Sequence, residues 1–375
     1  MLKMMRYRGL DSLPLSYANL FEEASQESFF LSLPWFRNFE ERILEPEEKV
    51  LVYGAEESEL NGHPMAALVL RCPSIGHYWN IFKIIQLESL SNYYSSFFGP
   101  LMSNVQKDKQ ETIEILAQAI FEDRRKWHLL NLKPLSVSSP DFERLLQAFR
   151  KLGLAVQTYF CFGNWYLDVQ GRNYCEYFET LPSAIRKKIP YKKRKLEKKF
   201  SVSMKIITEV GDVDQAMSDY EEVYRASWKK AEPFPEFIRG LARETSLQGW
   251  LRLGVLYLDE KPVAAQLWVV QNKIASIYKL AYDKQFSNLS VGTILTAHLM
   301  QHVIDEDRVY QVDYLTGDDS YKRDWMSARR ERWGMLIFNT RSFQGIIQGI
   351  KHIGGRGIKR TMTTLFSSPE NSANI

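Results

Sequence analysis

The stretch SNLSVGTILTAHL (287–299) sets one glycine and a threonine ahead of an apolar, helix-spaced run. Leu295, His298, Leu299, His302 and Val303 recur at three- and four-residue intervals, which predicts a helix over 291–304. A glycine in that place has two readings. It is a turn that admits a core helix, or it opens a helix whose free N–H groups and dipole hold an anion such as a pyrophosphate. For the second, Gly292 permits close backbone approach and Thr293 adds a hydroxyl donor. Spacing alone favours the turn, so the choice depends on what surrounds the stretch.

Working outward, three strands joined by short hairpins precede it: LRLGVLYLD, KPVAAQLWVVQ and KIASIYKLAYD. Ahead of them lie a strand at 201–209 and helices at 212–230 and 234–250. Behind come a strand (VYQVDYLTG), a short helix (SYKRDWMS) and a closing strand (WGMLIFNT). The first half also mixes types: strands at 47–55 and 64–72 about the Asn61-Gly62 turn, at 95–102, at 128–135 and at 155–169, with helices at 108–123 and 139–154. Between the halves, 172–200 is highly charged and reads as helical on either side of Pro190. Nine of the fourteen residues from Arg186 to Lys199 are Lys or Arg. The expected division is a first domain over 1–170, a basic helical connector over 171–200, a second domain over 201–345, and a helix with a polar, mobile tail over 346–375.

Bulk properties narrow the classes. A chain of 375 residues suggests two domains. A net charge of +4 is too mild to announce a nucleic-acid binder. Cys72, Cys161 and Cys175 are few, odd in number and lack CxxC spacing, which fits a reducing compartment and argues against structural zinc. No apolar run approaches the roughly 18 residues of a spanning helix, and the N-terminus lacks the continuous apolar core of a signal peptide. The expectation is a cytoplasmic protein.

Asp313 ends one strand, and Tyr321 and Lys322 stand on the short helix that follows, so the three can meet at the mouth of a cleft. The alternative is that Asp318, Asp319, Lys322 and Arg323 form a solvated face. His298 and His302 are four apart on one helix, but Leu299 stands where the metalloprotease pattern needs Glu, so they read as core or groove residues. The basic run 186–199 can meet phosphates of a nucleotide sugar, tRNA or membrane. A charged connector is the plainer reading, since Tyr191 is its only aromatic. Trp228 and Lys229 line a groove or simply pack.

The element order over 200–340 resembles the GNAT (N-acetyltransferase) superfamily. There the pyrophosphate of acyl-CoA rests on a Q/R-x-x-G-x-G/A loop. The matching positions here are Ser287-Asn288-Leu289-Ser290-Val291-Gly292: Ser287 replaces the Arg or Gln, Ser290 the first glycine, and Gly292 is kept. YKLAYD (278–283), S-x-G-T-x-L (290–295) and the stretch from Asp313 to Trp325 follow one another as in a branch linked to bacterial cellulose and exopolysaccharide biosynthesis (CelD/BcsL-like). The Fem-type aminoacyl transferases, with two GNAT-like domains, are similar too.

The resemblance implies an α/β (mixed α+β) chain with a tandem GNAT fold, two mixed β-sheets flanked by helices. It implies an acyltransferase moving an acyl group from acetyl-CoA or another acyl-CoA, without a metal, to an amine or hydroxyl of a small-molecule or sugar-linked acceptor. Leu280, Ala281, Ser290, Val291, Gly292 and Thr293 would hold the cofactor, with the strand at Lys279 to Ala281 splaying to offer an N–H to the thioester carbonyl. Tyr321 would be the general acid, and Asp313 or Asp318 the base. Trp228, Lys229, Tyr278, Lys279, Lys322 and Trp325 would bind substrate. Two rivals stand beside this: a Fem-like transferase using aminoacyl-tRNA, and an idle GNAT fold serving as partner in a polysaccharide synthase assembly.

Overall fold

The computed structural model describes residues 2–58, 62–72, 84–105 and 108–354, without the side chains of 353 and 354. Asn61 of the expected Asn61-Gly62 turn and the tail after Thr361 lie outside the described residues. The first half contains β1 (Leu2–Arg8), α1 (Tyr17–Ser25), α2 (Leu33–Ile43), β2 (Lys49–Glu57), β3 (Pro64–Cys72), β4 (Gln86–Ser89), β5 (Leu101–Met102), α3 (Lys109–Glu122), β6 (Leu129–Ser136), α4 (Pro140–Lys151) and β7 (Ala155–Asp168). The connector forms α5 (Tyr174–Thr180) and α6 (Ser183–Glu197). The second half contains β8 (Val202–Ile207), α7 (Val213–Ala226), α8 (Pro235–Leu247), β9 (Leu251–Leu258), β10 (Lys261–Gln271), β11 (Ile274–Tyr282), α9 (Val291–Asp305), β12 (Gln311–Asp313), α10 (Ser320–Arg323), β13 (Ala328–Phe338) and α11 (Phe343–Gly349).

The strands of both halves share one mixed sheet flanked by helices. Its order is β1-β2-β3-β4-β6-β13-β7-β12-β11-β10-β9-β8, with β5 on β3. The two expected half-sheets are therefore fused edge to edge, and the fusion is made by exchange. The last strand, β13, runs antiparallel between β6 and β7, while β7 pairs its other edge with β12. Helix α2 also crosses α8, where Asn38 donates to the Phe237 carbonyl at 2.9 Å. Gly240 is needed at that crossing, because a Cβ there would fall 2.1 Å from the Asn38 amide oxygen. One core runs through both halves and includes Phe36, Phe39, Leu116, Phe237, Leu253, Met335 and Ile337. A second packs α5, α6 and α9 on the strands of the second half.

The local chemistry explains where the strands and helices depart from sequence expectation. The hairpins β9–β10 and β10–β11 turn on Asp259-Glu260 and Asn272-Lys273, all four with positive φ, as two-residue turns matched to strand twist require. Of 95–102 only Leu101–Met102 is strand, since Gly99-Pro100 supplies one flexible residue and one without an N–H. Helix α6 runs through Pro190 instead of breaking there. Ile189 and Leu196, one on each side of the proline step, are buried in the second core and hold both segments to one line. The closing strand starts five residues earlier than its apolar run, because β13 pairs with β7 from Ala328 onward and gains β6 as a second partner from Arg332.

Ile337 is fully buried and sits in the strand that bonds both halves. Ile337→Ala should cost about 2–5 kcal/mol, the usual price of such a cavity. Urea unfolding followed by fluorescence and by circular dichroism should show one shifted transition; a first transition confined to one half would contradict the fused sheet.

Candidate active site

Strand β11 pairs with β12 only over Ile274 to Ser276, opposite Gln311 to Asp313. Beyond that the two part. The chain after β12 stays with β7, where the Tyr314 N–H donates to the Trp165 carbonyl at 2.9 Å, and Leu315 turns it with φ of 54°. Strand β11 instead follows β10, and a bulge places Tyr278 as the extra residue between the Ile277 and Lys279 pairings. A bulge bends its strand and sharpens its twist. The result is a wedge between β11 and the 314–319 loop, with the backbone of 277–282 free of any strand on that edge.

The pin at the wedge's apex is Asp313. Its carboxylate is buried, ion-pairs with Arg330, and accepts from the Asn164 amide at 2.6 Å and the Leu315 N–H at 2.7 Å. Arg330 also donates to the Asn164 Oδ1 at 2.7 Å. These contacts engage Asp313 away from Tyr321. Asp318 is exposed and paired with Arg329 at 2.8 Å, and it accepts from the Trp165 indole at 2.7 Å; those partners hold its carboxyl below the usual range.

The wedge opens into a cleft of about 370 Å³ that brings together Trp228, Lys229, Tyr278, Lys279, Leu280, Tyr321 and Lys322. Tyr321 is 45% exposed and meets Tyr314 edge-on at 5.7 Å. Burial around its hydroxyl, and then the charge of Asp319, push its pKa up to about 12. Lys279 reaches Glu232 at 2.8 Å and lies over the Tyr94 ring. Lys322 is buried beneath the 314–319 loop, donating to the carbonyls of Thr316 and Gly317. Lys229 is different. It lies near the Tyr224 and Trp228 rings, and among the described residues its amine has no ion-pair partner. Burial, and then the neighbouring Lys279, bring its pKa down to about 8.

Of the expected substrate residues, one lies outside the cleft and one turns its ring away from it. Trp325 is buried in the second core, its carbonyl accepting from Tyr177, and it does not line the cleft. Tyr278 borders the cleft but packs its ring on Phe29, Phe30 and Trp35. Conversely, Tyr93, Tyr94 and Glu232 belong to the site or its wall and carried no periodic or motif signal, while Tyr314 and Asp319 lay within the Asp313 to Trp325 stretch without a role.

On the other side of the wedge, Ser290 takes a left-handed conformation (φ 59°) and starts α9 without a side-chain cap. The N–H groups of Val291, Gly292 and Thr293 find no acceptor among the described residues. Gly292 lies under Tyr282, whose ring meets Trp228 at a tilt, 4.5 Å between centroids, so the helix start and the cleft share one wall. Lys192 of α6 donates to the Asn288 carbonyl at 2.6 Å, bringing the basic connector to the same entrance. Ala281 is buried in the strand between them. These bare donors fit a phosphate group. His298 lies further along α9 with its pKa lowered by burial, and His302 is 3.7 Å from Asp307. Among the described residues no three His, Cys, Asp or Glu side chains are grouped to hold a metal ion.

With this geometry in view, residues 183–323 match the family described as acetyltransferase (GNAT) domain. That match supports an acyltransferase. The fold is similar to that of many solved structures, three of them as follows. FemX shares 9% identity over 85% of this chain and 95% of its own, with a TM-score of 0.56. A Bacteroides thetaiotaomicron protein of unknown function shares 8% over 87% and 98%, with 0.54. The C-terminal domain of a putative lysylphosphatidylglycerol synthetase from Agrobacterium fabrum shares 13% over 88% and 95%, with 0.50. At these identities the likeness establishes the fold. No curated protein matches the chain.

A Cβ on Gly292 would stand 3.0 Å from the Tyr282 ring. Gly292→Val should therefore push that ring aside and cover the donors, abolishing thermal stabilisation by acyl-CoA while leaving the melting temperature of the free protein within a few degrees. A variant stabilised as much as the parent chain would remove the phosphate role from this helix start.

Proposed function

We propose that the protein transfers an acyl group from acyl-CoA, most simply acetyl-CoA, to an amine or hydroxyl acceptor in the wedge between β11 and the 314–319 loop. The observation that carries this is the parting of β11 from β12 at Ser276 and Asp313, which opens one cleft between an uncapped helix start and Tyr321. In this reading the N–H groups at Val291 to Thr293 hold the phosphates, and the free edge at Lys279 to Ala281 offers a backbone donor to the thioester carbonyl. The Tyr321 phenol, neutral across the working range, donates its proton to the departing thiolate. Lys229 replaces Asp313 and Asp318 as the base we favour, because its amine is unpaired and those two carboxylates are held in ion pairs. Acyl-CoA as donor places the reaction in the cytoplasm. The resemblance of 278–325 to the exopolysaccharide branch makes amino sugars the first acceptors to try.

One observation favours a second reading. The Lys192 contact brings a helix rich in cations to the cofactor entrance, as a polyanionic donor such as aminoacyl-tRNA would use. Incubating the protein with acetyl-CoA, longer acyl-CoAs and aminoacyl-tRNA, and scoring thermal stabilisation, separates the two. Stabilisation by RNA alone would turn the assignment to aminoacyl transfer, and by neither would turn it to a non-catalytic binding role.

Tyr321→Phe should retain folding and acyl-CoA affinity while slowing chemistry roughly 10²–10⁴-fold. A full-rate Phe variant, with chemistry rate-limiting, would leave Tyr321 a packing residue. The pH profile tests Lys229. A base acts unprotonated, so kcat/KM should rise with pH through about 8 and then level. Lys229→Met should lose that rising limb; a variant that keeps it assigns the limb to another group.

A further inference from the structure

A second cavity, of about 270 Å³, lies beside the cleft and shares Ser96 and Leu315 with its wall. It is bounded by β11, β12 and β13 of the fused sheet and by the residues that follow α1. Two arginines two apart on β13 face it, and their situations differ. Arg330 is neutralised by Asp313 and also reaches Asn164 and Gln311. Arg332 is only 6% exposed, yet among the described residues it has no ion pair, and its Nε–H finds no acceptor. Its guanidinium lies over the Phe97 ring, 4.8 Å from the centroid.

A buried, uncompensated guanidinium is costly, and it cannot readily escape by losing its proton. Burial, and then the charge of Arg330, depress its pKa to about 10, which leaves it charged at neutral pH. The acids nearest in its field are Asp313, already paired, and Glu27 at the rim. Glu27 makes no ion pair with Arg332, and its own pKa is raised by burial and then by Asp141. Arg332 is thus the one lining cation that touches no counter-ion among the described residues. Ser276 lines the cavity with its hydroxyl, and Phe29, Phe97 and Leu315 form apolar walls.

We propose that this cavity is a binding site for a small monocarboxylate, whose carboxylate takes the Arg332 fork and whose carbon body lies along Phe97 and Leu315. The planar guanidinium matches a carboxylate through two parallel hydrogen bonds. Arg332 offers one open planar fork, which a carboxylate fills, whereas a phosphate dianion brings further oxygens and charge that Arg330, already held by Asp313, does not meet. The inference does not rest on the acyl-transfer reading.

The test uses the full chain titrated with butyrate and benzoate, with butyramide and benzamide as uncharged twins and inorganic phosphate at equal ionic strength. Calorimetry should show saturable binding of at least one carboxylate and none of its amide. Arg332→Gln should bind it roughly tenfold to a hundredfold more weakly, the usual worth of hydrogen bonds to a charged group. In the unaltered protein, the same carboxylate should shield Arg332 from phenylglyoxal, read by peptide mass; this keeps the idea testable if Arg332→Gln fails to fold. Absence of carboxylate binding, equal binding of the amide, preference for phosphate, or unshielded Arg332 would each overturn it.

Discussion

The Asp313 carboxylate holds the molecule's functional geometry in place. It joins β12 to β13 through Arg330 and to β7 through Asn164, at the residue where β12 stops pairing with β11. Removing one partner from such a buried pair leaves an uncompensated charge, which typically costs 3–5 kcal/mol. The same contacts that close the sheet between the halves therefore also prop the wedge open. Asp313 thus bears on the wedge through the backbone it fixes.

Much of the architecture was readable because it is local. The meander from Leu251 to Tyr282 announced itself through β-branched runs and two-residue turns, and the α9 stripe through its 3.6 period. The strand exchange was not readable. Nothing in WGMLIFNT says that its partners lie near Leu132 and Thr158, since pairing between distant segments leaves no mark on periodicity. The bulge at Tyr278 was hidden for a related reason: an extra residue changes which side chains face the cleft without changing composition.

The candidate site divides along the same line. Tyr321, Lys322 and Lys279, named from motif order, and Trp228 and Lys229, named from their place after a helix, line one cleft. Asp313 and Asp318 were named as bases from proximity in sequence, which cannot reveal that Arg330 and Arg329 claim their carboxylates. Tyr93, Tyr94 and Glu232 come from loops of two different halves, and only the folded chain assembles them around Lys279. Arg332 belongs to the same class. In sequence it is one of four charges in a short strand, and only burial separates it from its neighbours.

The inserted last strand has a consequence for synthesis on the ribosome. When β6 and β7 have emerged, a slot between them waits for a partner encoded about 170 residues further on. At typical elongation rates of 5–20 residues per second, that wait lasts about 10–35 s. Throughout it, two long strand edges carry unsatisfied backbone groups and are open to any passing chain. Newly made first halves are thus the form of this protein most exposed to mispairing, and trading of β13 between two nascent copies is the natural error.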